Sequence, residues 1–308
     1  MKILVTGGAG FIGSHIVDLL IEKGYEVVVV DNLVNGKKEN VNSKARFIEA
    51  DMNSPELIKI FEKEKPDTVC HQAAQVSVRK SIQDPIYDAK ENIIGTINIL
   101  NCCIKTKVKK FVYASSGGAR YGEPVKLPCN ESHPIKPLCP YGISKHTAEY
   151  YVEFYSKLHG LDYNILAYSN VYGPRQDPEG EAGVISIFMG KILNNEKCEI
   201  FGDGEQTRDY VYVGDVAEAN LLALEKETKS KNFNIGTGKE TSVNELFAKI
   251  KKVIGKGEAV HVDPIPGEVR RIYLDISLAE KELGWQPRVD LDKGLKQTAE
   301  WFKNEAEK

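Results

Sequence analysis

The sequence lacks the patterns that mark several common classes of protein. Its 308 residues carry a formal net charge of −3, so there is no basic excess of the kind that nucleic-acid binding requires. Six cysteines, at positions 70, 102, 103, 129, 139 and 198, show no C-x-x-C or zinc-ligand spacing, and neither do the histidines. We therefore expect reduced thiols and no bound metal.

Long hydrophobic runs are also missing. No apolar stretch approaches the roughly 18 residues that span a bilayer. The amino-terminal segment MKILVTGG reaches glycine too early to form the hydrophobic region of a signal peptide. Together these absences predict a cytoplasmic protein that binds neither nucleic acid nor membrane.

Strand and helix patterns alternate in the first half of the chain. The segments KILVT, YEVVVVD, ARFIEAD, DTVCHQAA, KFVYASS and YNILAYSN predict strands, and helical patterns cover 14–23, about 84–106 and 141–159. Ser54 and Pro55 predict the start of a further helix, as a cap residue followed by proline. Such alternation predicts an α/β fold, a Rossmann-like, doubly wound parallel sheet with helices on both faces.

The pattern loosens after about residue 170. VYGPRQDPEGEAG predicts a long polar loop, and loops of that length are often functional. DYVYVGDVAEANLLAL predicts one more strand and helix of the main sheet. We therefore predict a nucleotide-binding domain over residues 1–169, with a return segment at about 211–237. The remainder of 170–308 would form a smaller, interleaved substrate domain.

A glycine-rich segment, VTGGAGFIGSH, connects the first predicted strand to the first helix. Gly7, Gly10 and Gly13 would let the backbone turn sharply and approach a pyrophosphate, which the helix N-terminus then binds through its amides. Asp31 ends the second strand, where a carboxylate accepts from a ribose 2′-hydroxyl and repels a 2′-phosphate. This arrangement predicts NAD as the cofactor rather than NADP.

The segment PYGISK places Tyr141 four residues before Lys145, one turn apart on one helix face. Alone the pair is common on helix surfaces. Beside a dinucleotide site, a lysine ammonium and a cationic nicotinamide ring would lower the pKa of a phenol, which makes the pair a candidate for acid/base chemistry.

The combination of motifs resembles the extended short-chain dehydrogenase/reductase family, and within it the UDP-galactose 4-epimerases. The resemblance covers residues 1 to about 301 and rests on many short segments in one order: TGGAGFIGSH, DNLVNGKKENV, HQAAQVSVRKSIQDP, ENIIGTINIL, SSGGARYGEP, PYGISK, NVYGPRQ, FGDGEQTRDYVYVGDV, FNIGTG and ELGWQP. It implies NAD-dependent interconversion of UDP-glucose and UDP-galactose by transient oxidation at sugar carbon 4. It also implies a homodimer through helices near 92–106 and 141–159.

The resemblance assigns residues to the site. The implied catalytic residues are Tyr141, Lys145 and Ser116. The implied cofactor-binding residues are Gly7, Gly10, Phe11, Ile12, Gly13, Asp31, Asn32, Asn35, Asp51, Met52, Ala73, Ala74, Asn92, Tyr141 and Lys145. The implied contacts to the UDP-sugar are Ser116, Asn170, Phe201, Arg208 and Arg270, with Arg271 as the alternative to Arg270.

The sequence departs from the family at one catalytic position. The family has Ser or Thr four residues before the tyrosine of its YG pair, whereas that position is Gly117 here. Either Ser116 or a water molecule then serves as the proton relay, and we favour Ser116. Arg120 also stands where an aliphatic residue is expected.

Other activities remain open at this stage. UDP-N-acetylhexosamine or UDP-uronate 4-epimerases, nucleotide-sugar dehydratases and decarboxylases, and a non-catalytic NAD-binding protein share much of this pattern. The family's dehydratases carry an Asp–Glu pair directly after the relay residue, whereas this chain has Gly117, Gly118 and Ala119 there.

Overall fold

The computed structural model describes residues 1–178, 183–265 and 267–306. Its strands are β1 (Lys2–Thr6), β2 (Glu26–Asp31), β3 (Arg46–Glu49), β4 (Thr68–His71), β5 (Lys110–Ser116), β6 (Asp162–Tyr168), β7 (Asn170–Tyr172), β8 (Cys198–Phe201), β9 (Thr207–Arg208), β10 (Tyr210–Tyr212), β11 (Asn232–Ile235), β12 (Thr241–Ser242) and β13 (Ala259–Val262). Its α-helices are α1 (Phe11–Glu22), α2 (Leu57–Glu64), α3 (Val78–Gln83), α4 (Pro85–Ala89), α5 (Gly95–Thr106), α6 (Gly117–Arg120), α7 (Pro140–His159), α8 (Val184–Leu193), α9 (Val213–Glu225), α10 (Val243–Ile254) and α11 (Leu291–Ala306). Single π-helical turns lie at Lys90–Ile94 and Ala279–Leu283, and a 3₁₀ turn lies at Lys38–Asn40.

The main sheet confirms the predicted fold class. Its strand order is β11-β6-β5-β4-β1-β2-β3, and every neighbouring pair is parallel. In this order the chain reverses direction across the sheet between β1 and β4, which is where Rossmann-like folds bind their ligands. The sheet therefore presents the carboxyl ends of β1, β2, β4, β5 and β6 along one edge.

Two hydrophobic layers cover this sheet. On one face, Ile3 and Val5 pack with Ile16 of α1 and with apolar residues of α9. On the other face, Leu4 packs with Phe61 of α2 and with residues of α5 and α7. The alternation of Ile3, Leu4 and Val5 between the layers follows from the two-residue period of a strand, and it explains why buried parallel strands have uninterrupted apolar sequences.

A third cluster lies in the carboxyl-terminal part of the chain. It joins α8, α10 and α11 through residues such as Phe188, Leu246 and Phe302, all of which are buried. This cluster is distinct from the two layers that cover the main sheet. The division into a nucleotide-binding domain ending at residue 169 and a smaller domain stays a prediction.

Two local predictions are wrong. The strand in DYVYVGDV is β10, which pairs with β7 and not with the main sheet. The edge position beside β6 is taken by β11 instead, through pairs such as Phe233 with Leu166. The helix expected from Ser54 begins at Leu57, because Ser54 and Pro55 form a turn that precedes it.

Residues 179–182 of the predicted polar loop lie outside the described residues. Among the helices described, none combines the length and apolarity needed to cross a membrane.

Candidate active site

The glycine-rich segment forms a tight turn between β1 and α1. Gly7 has a φ of +68°, and a Cβ atom there would lie 2.6 Å from the backbone nitrogen of Ala73. A Cβ on Gly13 would lie 2.1 Å from the carbonyl oxygen of Gly7. No larger residue fits at either position without moving the backbone. The turn therefore packs closely against neighbouring backbone and leaves space for a ligand at the N-terminus of α1.

A cleft of about 780 Å³ extends from this turn along the carboxyl edge of the sheet to α7. It brings together most of the residues predicted for the site. Those lining the cleft are Gly7, Gly10, Phe11, Ile12, Gly13, Asp31, Asn32, Asn35, Met52, Ala73, Ala74, Ser116, Tyr141, Lys145 and Asn170.

Two predicted cofactor contacts stand behind the cleft wall. Asp51 accepts a hydrogen bond of 3.1 Å from the side chain of Asn32, which lines the cleft. Asn92 is buried and exchanges two hydrogen bonds of 2.9 Å with the backbone of Gln75, another lining residue. In this structure both residues orient the wall rather than face the cavity.

The carboxylate of Asp31 is held at the end of β2 by backbone amides. Its two oxygens accept from the N–H of Ala9 at 3.0 Å and from that of Leu33 at 2.8 Å. These hydrogen bonds fix the negative charge at the wall of the cleft. A carboxylate fixed there favours a cofactor with a free ribose diol over one with a 2′-phosphate.

Tyr141 and Lys145 lie on the first turns of α7, which begins at Pro140. The Ser116 hydroxyl lies beside the phenol of Tyr141 and lowers the pKa of the phenol. Burial has the larger, opposite effect, and raises that pKa to about 12. The protein's own groups therefore do not produce the acidic phenol that the sequence pattern predicts.

Lys145 is 4% exposed, and its Nζ lies 4.4 Å from the centroid of the Tyr113 ring. Burial lowers the pKa of Lys145 to about 8, while the carboxylates of Glu149 and Asp88 raise it. At neutral pH the side chain is therefore mainly an ammonium, but one that loses its proton far more readily than an exposed lysine.

Ser115 and Ser116 both line the cleft, but their side chains have different partners. Ser116 caps α6 by accepting from the N–H of Ala119 at 3.3 Å and lines the cavity. Ser115 donates a short hydrogen bond to the buried carboxylate of Glu149. At Gly117 a Cβ atom would meet the side chain of Leu274 at 2.6 Å, so a residue with a relay hydroxyl there would have to displace Leu274.

The sequence did not reveal a buried charge network that lies behind the predicted catalytic residues. Glu149 pairs with Arg120 at 3.2 Å and with His146 at 2.8 Å, and all but His146 are at most 3% exposed. The spacing of Glu149 from Lys145, one helical turn, was the available signal. Arg120 occupies the position predicted to be aliphatic because Glu149 supplies its charge partner.

Of the remaining predicted substrate residues, Phe201 and Arg270 line a second, smaller cavity of about 280 Å³. Arg208 lines neither cavity and pairs with Glu268 at 2.9 Å. Arg270 pairs with Asp203 at 2.7 Å, whereas Arg271 pairs with Glu240. Of the two alternatives after PGE, Arg270 is thus the one that lies at a cavity.

The residues present fit a dinucleotide. The two glycines keep the turn open, a carboxylate is fixed at one end of the cleft, and a hydroxyl, a phenol and an ammonium meet at the other. In the described ranges no group of three His, Cys, Asp or Glu side chains is arranged to hold a metal ion.

Comparisons with known proteins give the same picture. The model of the NAD dependent epimerase/dehydratase family matches residues 3–236. A protein of Methanocaldococcus jannaschii with the provisional name UDP-glucose 4-epimerase is 58% identical over 98% of both chains.

Two solved structures resemble the whole chain. The UDP-glucose 4-epimerase of Thermotoga maritima, crystallised with UDP-glucose, is 52% identical with a TM-score of 0.97, over 99% of this chain and 100% of the other. That of Thermus thermophilus, in complex with NAD, is 42% identical with a TM-score of 0.93, over 98% and 99%.

Proposed function

This chain belongs to the NAD-dependent epimerase/dehydratase family, and we propose that it interconverts UDP-glucose and UDP-galactose by transient oxidation at sugar carbon 4. Its cofactor is NAD and its reaction class is the epimerisation of a nucleotide sugar, hence an isomerase. The choice of UDP-glucose and UDP-galactose, and the residue roles below, are our proposal.

The observation that carries the proposal is the meeting of Ser116, Tyr141 and Lys145 at one end of the cleft. Oxidation of a secondary alcohol removes a proton from oxygen and a hydride from carbon. Tyr141 takes the proton of the C4 hydroxyl and later returns it to the same oxygen. When bound, NAD supplies the acceptor and the later donor of the hydride.

Ser116 and Lys145 assist Tyr141 in this transfer. The Ser116 hydroxyl beside the phenol favours its ionised form, but burial still leaves the pKa of Tyr141 at about 12. The Lys145 ammonium, one turn along the same helix, lies at the same end of the cleft. The positive charge of a bound nicotinamide ring would supply the remaining stabilisation of the phenolate.

The loop after Ser116 supports an epimerase over a dehydratase or a decarboxylase. Removal of water from a 4-keto sugar needs further proton transfers at carbons 5 and 6, which carboxyl groups within hydrogen-bond reach would supply. Gly117, Gly118 and Ala119 have no such group, and the Gly117 position is closed by Leu274. The ketone can only take the hydride back, on either face.

We assign the nucleotide of the substrate to the smaller cavity. Phe201 would contact the uracil, and Arg208 and Arg270 would meet the phosphates after exchanging their carboxylate partners, Glu268 and Asp203. Asn170, at the start of β7, lies at the cleft and would contact the sugar side.

A panel of UDP-sugars with product analysis tests the function. Incubation with UDP-galactose, followed by NMR, should give a mixture of UDP-glucose and UDP-galactose without loss of water or carbon dioxide. UDP-N-acetylglucosamine, UDP-glucuronate and UDP-galacturonate belong in the same panel. A 4-keto-6-deoxy product, or UDP-xylose from UDP-glucuronate, would refute the epimerase assignment, while preference for an N-acetylated or acidic sugar would refute only the substrate.

The cofactor is tested separately. NAD regenerated in each cycle has no need to leave, so the nucleotide released from denatured protein should be predominantly NAD. Predominant NADP would refute the role of Asp31, and Asp31→Ala should weaken NAD binding and relax the discrimination against NADP.

We also propose that the protein forms a homodimer through α7 and the segment 86–94. Ile143, Tyr150, Phe154 and Leu158 form one stripe on α7, and each is more than half exposed. Ile86 and Ile94 are also exposed. Large apolar side chains at this spacing form one face of the helix that is exposed to solvent. Such an exposed apolar face is typical of a protein–protein interface.

A further inference from the structure

The loop that follows β7 returns to α1, beside the glycine turn. The carbonyl oxygen of Pro174 accepts a hydrogen bond of 2.9 Å from Nε2 of His15. The guanidinium of Arg175 pairs through Nη2 with Asp18 of α1 at 2.7 Å. The loop is thus tied to the helix whose N-terminus faces the cleft.

Arg175 lies at the wall of this cleft, together with Gly10, Phe11 and Gly13. Its φ of +69° is in the left-handed region, which a residue with a side chain adopts only when its surroundings impose it. Its Nη1 is buried and has no hydrogen-bond partner anywhere in the described chain. An unsatisfied buried donor at the wall of a ligand-sized cleft points to a missing acceptor.

The charge of the cleft points to the same residue. Over the described ranges the cations that line it are Lys37, Lys80, Lys145 and Arg175. Lys145 is at the catalytic end, the ammonium of Lys80 packs over the Tyr87 ring at 4.5 Å, and Lys37 pairs with Asp177 at 3.6 Å. Arg175 is the cation that is tied to α1 and still has a free donor.

We propose that Arg175 is a further cofactor-binding residue, which donates to the diphosphate of NAD opposite the N-terminus of α1. A planar guanidinium suits this role because it can bond one anion with one edge while Asp18 holds the other. Asp18 is then a positioning residue, and loop 173–177 becomes a strap that retains the cofactor through the catalytic cycle. The inference rests on the NAD site proposed above and adds a contact to it.

Retention of NAD tests the proposal on the holoenzyme. Wild type, Arg175→Met, Arg175→Lys and Asp18→Asn are purified, NAD per chain is counted, and the rate of NAD release after dilution is measured. Because a hydrogen bond to a charged group contributes about ten- to 100-fold, Arg175→Met should speed release by that factor. Arg175→Lys should lie between, and Asp18→Asn should give a smaller increase. Arg288→Met, which removes an exposed pair with Glu218 outside the cleft, serves as the matched control.

A purely structural clamp between the loop and α1 would also weaken NAD binding, so a second measurement separates the two roles. ADP and adenosine are each titrated against the NAD-bound enzyme, and the concentration that displaces half of the bound NAD is measured. Where a variant purifies without NAD, the two ligands are titrated directly. Loss of a diphosphate contact should weaken ADP about as much as NAD and leave adenosine unchanged. Circular dichroism confirms that each variant is folded.

Three results are decisive. Unchanged release from Arg175→Met, or equal weakening of ADP and adenosine, would overturn the role of Arg175 while leaving the proposed function intact. Failure of the wild type to bind NAD at all would overturn both.

Discussion

Ser115 and Ser116 are neighbours at the end of β5, yet they serve different parts of the molecule. Both line the cleft, but successive strand residues point in different directions, so the Ser115 hydroxyl donates to the carboxylate of Glu149 while Ser116 lies beside Tyr141. We therefore assign the proposed relay hydroxyl to the second serine.

This arrangement predicts an order of effects on turnover. Tyr141→Phe should reduce kcat by about 10²–10⁴-fold, the usual effect of removing a positioned acid/base. Ser116→Ala should cost up to roughly tenfold, since a single hydrogen bond contributes about 0.5–1.5 kcal/mol. Ser115→Ala, the matched control, should change kcat little. The initial rate on UDP-galactose is measured for each variant, together with its NAD content. If Tyr141→Phe keeps a tenth of the wild-type rate, Tyr141 is not the acid/base.

Lys145 predicts how activity depends on pH. Burial lowers its pKa to about 8, so the ammonium is present below that pH and is lost above it. We expect kcat/KM to fall as pH rises through about 8. Asp88→Asn removes a carboxylate that raises this pKa and should move the alkaline fall to lower pH. Rate profiles between about pH 6 and 10 measure both, and an alkaline limb that Asp88→Asn leaves in place would contradict the assignment to Lys145.

Helices α6 and α7 are joined by a buried ion pair. Arg120 ends α6, which Ser116 caps, and Glu149 lies two turns beyond Tyr141 on α7. The two charges are 3% and 2% exposed. Ser116, the proposed relay, caps α6, and Tyr141, the proposed acid/base, lies on α7. The ion pair therefore holds together the two helices next to these residues.

A buried charge that loses its partner is costly, so Arg120→Met should destabilise the fold by about 3–5 kcal/mol. Arg288→Met breaks an exposed pair with Glu218 and should cost at most about 1 kcal/mol. Urea unfolding of both variants gives the comparison. Equal losses in the two would show that burial adds nothing to the Arg120–Glu149 interaction.

At the scale of the whole molecule, the helix that carries the proposed catalytic residues is also the proposed dimer helix. The buried face of α7 carries Lys145 and Glu149, while its outer face carries the apolar stripe of Ile143, Tyr150, Phe154 and Leu158. With a partner chain on that outer face, α7 would be buried on one face by its own chain and on the other face by the partner.

A charge on the stripe should dissociate the proposed dimer. Phe154→Asp would place a carboxylate in an apolar interface, where it has no partner, and should give a monomer by light scattering. Val125→Asp, also at an exposed apolar position but outside α7, should leave the mass unchanged. A wild-type monomer, or a dimer that tolerates Phe154→Asp, would rule out this surface.

The sequence by itself determined the features that depend on neighbouring residues. Glycine spacing predicted the turn at Gly7 and Gly13, apolar runs predicted the strands of the first half, and the four-residue spacing predicted that Tyr141 and Lys145 share a helix face. Strand periodicity and helical geometry operate over a few residues, and so they can be read from a short segment.

Tertiary structure decided everything that depends on contacts between distant segments. β10 pairs outside the main sheet because β11 occupies the edge beside β6, and no local pattern distinguishes the two strands. Arg120 became a buried partner of Glu149, and Arg175 was carried to the cofactor cleft by a loop that follows β7. The local sequence around a charged residue does not show whether the residue lies on the surface or in a buried ion pair. Only the fold brings its partner within hydrogen-bond distance.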